Sequence, residues 1–179
     1  YGPGASRPAG VITMLIRPET PNDHAAIFDL TKAAFAPMSF SDGTEHEAIN
    51  SLRNDGDLTL SLVADENGVI GHVAFSPAAI SNSEGQWFAL GPISVRADKQ
   101  HQGIGTALVA DGLKMPSDMG AAGCVLIGNP QVYAPMGFIS DGRLTYGGLD
   151  TKYVQYQMLN GRAPQGEITF AQALQEDHT

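Results

Sequence analysis

One continuous stretch of this chain places the strongest constraint on its fold. Residues 85–113, GQWFALGPISVRADKQHQGIGTALVADGL, contain an almost entirely apolar run, a polar bend with two glycines and a helical pattern. The apolar run is typical of a strand in the middle of a sheet. Pro92 within it cannot donate to a strand ladder, so we expect a bulge or local splaying there. We expect a helix from about Gly103 to Met115, which Pro116 should end or kink.

The bend QHQGIG, residues 100–105, has a composition suited to binding phosphate. Glycines let the main chain approach a ligand closely, and the first amides of the following helix are unsatisfied donors at its positive end. We therefore predict a pyrophosphate site. Two better-known phosphate loops are excluded, because Leu108 stands where the dinucleotide fingerprint needs its third glycine and no Gly-Lys-Ser/Thr follows. From the glycines alone, a strand–helix turn without a ligand remains open.

Charge and cysteine content exclude several classes of protein. The formal net charge of −9 argues against nucleic-acid binding, which requires a basic face. An acidic surface suits a cationic substrate such as an amine, or serves only solubility. The single cysteine, Cys124, lies in the apolar run GCVLIG and is interpreted as a buried strand residue. The histidines are scattered without ligand spacing, so we expect no metal site.

The chain is interpreted as one domain over residues 14–179. Residues 1–13 lack a charged start followed by an apolar run, so we interpret them as a remnant of an expression tag before Met14. No segment approaches the ~18 apolar residues of a membrane span. These features predict a cytoplasmic protein without a membrane partner.

Hydrophobic periodicity predicts the element order β-α-α-β-β-β-α-β-α-β, an α/β fold with a mixed sheet of about six or seven strands flanked by helices. Thr20 and Pro21 have the spacing of a helix start, and Thr44 and Glu47 that of a capping box. Gly56 marks the end of the second helix. The predicted strands and helical turn after residue 57 lie in LTLSLVAD, VIGHVAFSPAAI, GQWFALGPISV, AGCVLIG, NPQVYAPMGF and KYVQYQML.

The glycine bend also resembles motif A of the GCN5-related N-acetyltransferases, the GNAT family. Gln100, Gly103 and Gly105 match its Gln/Arg-x-x-Gly-x-Gly/Ala signature, and YAPMGF at residues 133–138 is a second match. The resemblance covers about Met14 to Phe170 and is greatest to the YhbS-like bacterial subgroup, which has similar GHVAFSP and LGPISV stretches. It implies a single-domain fold with a sheet splayed at its central strands.

That resemblance implies a site for acetyl-CoA, the expected co-substrate. The amides of the bend would hold its pyrophosphate, and the strand ending at Val95 would pair with its pantetheine arm. The family has glycine in many members where this chain has His101, which makes the loop bulkier. The residues expected to bind the co-substrate are Ile93, Ser94, Val95, Gln100, His101, Gln102, Gly103, Ile104, Gly105, Thr106 and Asn129.

Three residues are candidates for the chemistry. By the resemblance, Tyr133, four residues before Gly137, would protonate the departing thiolate; the alternative is that it only packs against the co-substrate or caps its turn. Glu45 is a candidate base in a segment that borders the acceptor site in the family, or else a favourable first-turn charge. His72 is a second candidate base, or a hydrogen-bonded core histidine.

The resulting hypothesis is an N-acetyltransferase that moves acetyl from acetyl-CoA to a primary amine by direct attack in a ternary complex. The acceptor is a small amine, a protein N-terminus or a lysine. The alternative is a non-catalytic sensor of CoA or acyl-CoA. A dinucleotide oxidoreductase is disfavoured by the missing third glycine. Members of the family often form dimers, so a homodimer is left open.

Overall fold

The structure is a computed structural model and describes residues 13–175. Residues 1–12, most of the segment interpreted as a tag remnant, lie outside that range. The helices are α1 (His24–Phe35), α2 (Glu45–Asp55), α3 (Ile104–Asp118) and α4 (Pro130–Tyr133). The strands are β1 (Leu15–Pro18), β2 (Leu60–Asp65), β3 (Val69–Ile80), β4 (Trp87–Val95), β5 (Gly123–Ile127), β6 (Leu144–Thr145), β7 (Val154–Met158) and β8 (Gly166–Phe170).

Within the described residues the strands form one eight-stranded mixed sheet, which confirms the predicted fold class. The main order is β1-β2-β3-β4-β5-β7, and β8 pairs with the end of β3 and with β6. Neighbours are antiparallel except β4–β5 and β6–β8. Strands β6 and β8 were not predicted from the sequence, since β6 has only two residues and β8 is held by the distant residues Ala78–Ile80.

Helices cover the two faces of this sheet. On one face α3 packs over Val73 and Phe75 of β3, within the larger core cluster. A Cβ at Gly112 would overlap the ring of Phe75, so glycine sets how closely α3 approaches the sheet. On the other face Ile27 of α1 and Ile49 of α2 pack against the sheet. His72 and Val73 lie on opposite faces of β3, as the alternation of the sequence predicts. A bulge opposite Ala64 and Asp65 breaks that alternation at the start of the strand, so that Ile70 packs in the cluster of Val73 and Phe75 while Val69 packs with Ile27 and Ile49.

One expected helix boundary and one expected capping box are wrong, whereas both ends of α2 lie where the sequence predicts them. Helix α3 continues through Pro116 to Asp118, because a proline in the last turn removes only one ladder bond. Thr44 precedes α2, but its hydroxyl donates to Asp42 Oδ1 over 2.6 Å and forms no capping box with Glu47. Gly56 ends α2 with a φ of 77°, as predicted.

No helix among residues 13–175 is both long and apolar enough to cross a membrane.

Candidate active site

The centre of the sheet is split. Strand β4 pairs with β5 only from Trp87 to Ala89, so its remaining length has no neighbour on that side among the described strands. The register of β4 against β3 also shifts, with Val73 opposite Ile93 but Phe75 opposite Leu90. This irregularity at the Gly91–Pro92 step confirms the bulge and splaying predicted from the proline.

The freed part of β4 presents main-chain groups to the split. Arg96 N–H donates to Ile70 O of β3 over 2.8 Å, and in an antiparallel pair such bonds occur at alternate residues. Ser94 therefore bonds to β3, whereas the N–H and C=O groups of Ile93 and Val95 point towards the split. This geometry is that of a strand edge able to pair with an extended ligand.

The glycine bend lies directly after this edge. His101 and Gly103 have φ values of 64° and 83°, and α3 begins at Ile104. Within residues 13–175, none of the amide N–H groups from Gln100 to Thr106 has a hydrogen-bond acceptor; Ala107, bonded to Gly103 O over 3.0 Å, is the first that does. These unpaired donors at the positive end of a fifteen-residue helix form an anion-binding geometry.

The bend is also held close to the strand edge. A Cβ at Gly105 would lie 3.9 Å from both Ile93 Cδ1 and Val95 Cγ2. The Gln100 side chain donates Nε2–H to Val95 O over 3.1 Å. The free amides and the free strand edge are therefore parts of one site.

A groove of about 470 Å³ continues from this site along the surface of α3. It begins at Thr106 and runs between α3 and the turn containing Pro135 and Met136. The groove therefore extends from the first turn of α3 to the turn that follows Tyr133.

Tyr133 lies on the α3 side of the sheet, where its half-buried ring packs against the main core. Its ring covers Gly128, where a Cβ would lie 2.6 Å from Tyr133 Cε2, and meets Phe138 edge-on at 6.2 Å. Burial raises the pKa of the phenol, so it is protonated at neutral pH. The turn is capped by Asn129, whose Oδ1 accepts the Gln131 N–H over 2.9 Å.

The two candidate bases belong to the opposite face. Glu45 begins α2 and accepts a hydrogen bond from Ser41 Oγ at 2.6 Å. His72 is fully buried, with Nε2 2.7 Å from Ser61 Oγ. Desolvation lowers the pKa of His72 to about 4, so the imidazole is neutral at pH 7. Tyr133 and His72 therefore lie on the two sides of the split sheet.

Sequence reasoning missed two polar contacts of the site. Ser61 and Glu19 join His72 in a buried network, although they are distant from it in sequence. Gln155 donates Nε2–H to Gly128 O over 2.9 Å and so holds the main chain on which the Tyr133 ring packs. Neither contact has a local sequence signal. No cluster of three metal-ligating side chains occurs among residues 13–175.

Comparison with known proteins agrees with this geometry. A model of the acetyltransferase (GNAT) family matches residues 24–131. The uncharacterized N-acetyltransferase YhbS of Escherichia coli K12 is 39% identical to this chain over 127 residues, 70% of this chain and 73% of that protein.

Two crystal structures are similar over nearly the whole chain. A GNAT family acetyltransferase from Brucella melitensis in complex with acetyl-CoA has a TM-score of 0.80 and 39% identity, covering 91% of this chain and 99% of that one. Escherichia coli YhbS in complex with CoA has a TM-score of 0.83 and 28% identity, with coverages of 93% and 94%.

The split sheet, the glycine bend and these likenesses define an acyltransferase. The chain belongs to the GNAT family of acetyltransferases, and the family resemblance identified from its residues is confirmed.

Proposed function

We propose that this protein transfers an acetyl group from acetyl-CoA to a primary amine by direct attack in a ternary complex. One observation carries the proposal: the unpaired amides of residues 100–106 adjoin the unpaired edge of β4. Such a site suits a ligand with a pyrophosphate followed by an extended chain containing amides, which is the chemistry of CoA. The acetyl-CoA and CoA complexes of the two similar acetyltransferases support this assignment.

In this proposal the co-substrate spans the site from the bend to the split. The amides of the bend and the positive end of α3 bind the pyrophosphate. Ile93 and Val95 bond to the pantetheine arm as a strand would, although Val95 O is shared with Gln100. The proposed binding residues are Ile93, Ser94, Val95, Gln100, His101, Gln102, Gly103, Ile104, Gly105, Thr106 and Asn129.

The chemistry then proceeds through a tetrahedral intermediate. The amine nitrogen attacks the thioester carbon, and the carbonyl oxygen gains negative charge that a free N–H of β4 stabilises. When the intermediate collapses, the carbon–sulfur bond breaks and the thiolate takes a proton from Tyr133. An ordinary phenol with a pKa near 10 can donate to a thiolate whose thiol has a pKa near 8.5 at modest cost, and the burial that raises the pKa of Tyr133 adds to that cost.

The attacking amine must also lose a proton. His72 and Glu45 are the proposed acceptors, and both lie on the face opposite Tyr133. His72 is neutral at pH 7 and so has a free lone pair, but its lowered pKa makes it a weak base, and Glu45 is half-buried at the start of α2. Separating the acid and the base on two faces keeps them from exchanging protons directly.

The acceptor is proposed as a primary amine, either a small amine, a protein N-terminus or a lysine. The net charge of −9 favours a cationic acceptor through long-range attraction. The homodimer stays a prediction from the family resemblance, and the cytoplasmic location stays a prediction from the sequence.

The test is thiol release from acetyl-CoA over a panel of polyamines, amino acids and peptides. Tyr133→Phe should lower kcat about 100-fold while the Kd of acetyl-CoA stays unchanged. Tyr153→Phe is the matched control, since Tyr153 stacks with Lys152 in a turn outside the site. If the wild-type protein binds CoA but no amine yields thiol, the sensor replaces the transferase.

A further inference from the structure

A chain of polar contacts crosses the interior on the face covered by α1 and α2. His72 Nε2 lies 2.7 Å from Ser61 Oγ, and Ser61 Oγ donates in turn to Glu19 Oε1. Arg53 binds both oxygens of Glu19, at 3.0 and 2.9 Å, and His24 Nε2 lies 2.9 Å from Oε2. The Glu19 carboxylate, in the linker after β1, thus joins β2, α1 and α2, and it reaches β3 through Ser61.

The hydrogen-bond pattern assigns the tautomer of His72. Burial acts to raise the pKa of Glu19, but hydrogen bonds from Arg53 and Ser61 outweigh it and hold the pKa below its ordinary value. The ionised carboxylate can only accept, so the Ser61 hydroxyl proton points to Glu19. Ser61 must then accept from His72, which places the imidazole proton on Nε2 and leaves a lone pair on Nδ1.

The lone pair of His72 Nδ1 has no partner within the described part of the chain. Ser94 lies directly opposite His72 in the β3–β4 register, so the two side chains project from the same face about 5 Å apart at Cβ. The Ser94 hydroxyl is buried and also has no partner among residues 13–175. The two groups are complementary as donor and acceptor, although no hydrogen bond joins them in this structure.

The other end of the chain reaches solvent. A surface pocket of about 340 Å³ is lined by Glu19, Arg53 and Ser61, together with Leu60 and nearby backbone of the α2–β2 linker. Ser94, at the inner end, belongs to the part of β4 that has separated from β5. Hydrogen bonds therefore run from His72 to the protein surface, and Ser94 lies between His72 and the split at the centre of the sheet.

We propose that Ser94, His72, Ser61 and Glu19 form a proton relay that removes the proton from the attacking amine, an inference that rests on the proposed function. The ammonium N–H bond breaks as Ser94 Oγ accepts its proton and gives its own to His72 Nδ1. His72 passes its Nε2 proton to Ser61, and Ser61 passes its hydroxyl proton to Glu19. Glu19 releases that proton to water in the pocket, so the net change is one proton moved from the ammonium group to water. His72 is left protonated on Nδ1, and the imidazole must rotate before the next turnover.

Burial and the charged groups around His72 set its protonation state. Glu19 acts to raise the pKa of His72 and Arg53 acts to lower it, while burial has the largest effect and lowers it. His24 lies beyond Glu19, and His46 of α2 packs on the ring of Phe28 at 4.6 Å between centroids. His72 is therefore neutral at rest and holds a proton only in transit.

A purely structural network would anchor the β1–α1 linker to the sheet without affecting proton transfer. The two roles differ at Ser61, which links His72 to Glu19. Ser61→Ala breaks the link, and Ser61→Thr restores the hydroxyl. Ser76→Ala is the matched control, because Ser76 is also buried on this sheet but its hydroxyl has no partner within the described residues.

The kinetic experiment uses the full chain with acetyl-CoA and the best amine of the panel. Ser61→Ala should lower kcat 10- to 100-fold, leave KM for acetyl-CoA unchanged and enlarge the solvent deuterium isotope effect on kcat. Ser61→Thr should recover most of kcat, and Ser76→Ala should match the wild type. Equal kcat and isotope effect in Ser61→Ala and the wild type would overturn the relay while leaving the transferase intact.

A second measurement needs neither turnover nor a variant. Nitrogen-15 NMR of histidine-labelled wild-type protein at pH 7 should show His72 protonated at Nε2 and bare at Nδ1. A proton on Nδ1 would overturn the relay. If the wild type transfers no acetyl group to any amine, the proposed function fails, and the relay fails with it.

Discussion

Gln100 and Val95 are joined by a hydrogen bond from side chain to main chain, with Nε2 3.1 Å from the carbonyl oxygen. The contact ties the first residue of the glycine bend to the last residue of β4. It thereby fixes the distance between the proposed pyrophosphate and pantetheine sites. The glutamine of the family signature thus has a structural role in this chain that its main-chain amide alone would not explain.

Gln100→Ala should therefore loosen the site without unfolding the protein. Loss of one neutral hydrogen bond of about 1 kcal/mol predicts a rise of roughly five-fold in the Kd of acetyl-CoA, measured by calorimetry. Asn160→Ala is the control, because Asn160 makes the same kind of bond, to Ser117 O at 3.0 Å, far from the bend. Equal weakening by both variants would mean that the effect is not local.

Gly103 and Gly105 should respond differently to alanine. Gly103 has a φ of 83°, so a side chain there is strained even though nothing crowds the position, and Gly103→Ala should destabilise the fold by about 1 kcal/mol. Gly105 lies in α3 with ordinary 3.9 Å contacts around its absent Cβ, so Gly105→Ala should be neutral or slightly stabilising. Urea unfolding measures both, and the reverse order would refute the assigned geometry.

His101 occupies a left-handed conformation with a φ of 64°, in an exposed position. Since glycine adopts that conformation without strain, His101→Gly should raise the free energy of unfolding by up to about 1 kcal/mol. Gln102→Gly, at a neighbouring exposed residue without positive φ, should have no such benefit. Thermal unfolding of the two variants side by side checks this difference.

The buried His72 predicts a dependence of stability on pH. Its folded pKa of about 4 lies below the unfolded value of 6.5, so the unfolded chain binds an extra proton between these values. The contribution of neutral His72 to the free energy of unfolding is then fully present above pH 6.5. The free energy of unfolding falls by about 3 kcal/mol as the pH drops to 4. His72→Gln should flatten that part of a stability–pH curve from urea unfolding; an unchanged slope would show that His72 is not the group responsible.

Most of the fold was predictable because its signals are local. The alternation of VIGHVAFSP placed His72 and Val73 on opposite faces of β3, and Pro92 marked the bulge in β4. The strands missed, Leu144–Thr145 and Gly166–Phe170, are short segments that exist only through pairing with each other and with the end of β3. Because these pairing partners are distant in sequence, the residues of each short strand carry no local signal of it.

The site divides in the same way. The bend from Gln100 to Gly105 was identified because all of its residues are consecutive. The contacts of His72 were not, since Ser61 is 11 residues from His72 and Glu19 is 42 residues from Ser61. Only the register of β2 against β3, and the position of the linker after β1, bring them together. The roles of Tyr133, Glu45 and His72 stay predictions.

The central claim is that the free amides of residues 100–106 bind the pyrophosphate of the donor. Proton–nitrogen correlation spectra of labelled protein, titrated with CoA and separately with pantetheine, test it directly, since pantetheine lacks the pyrophosphate. We predict that CoA shifts the amide signals of Gly103, Ile104 and Gly105 and that pantetheine at the same concentration leaves them in place. If CoA binds while those three signals do not move, the claim is wrong.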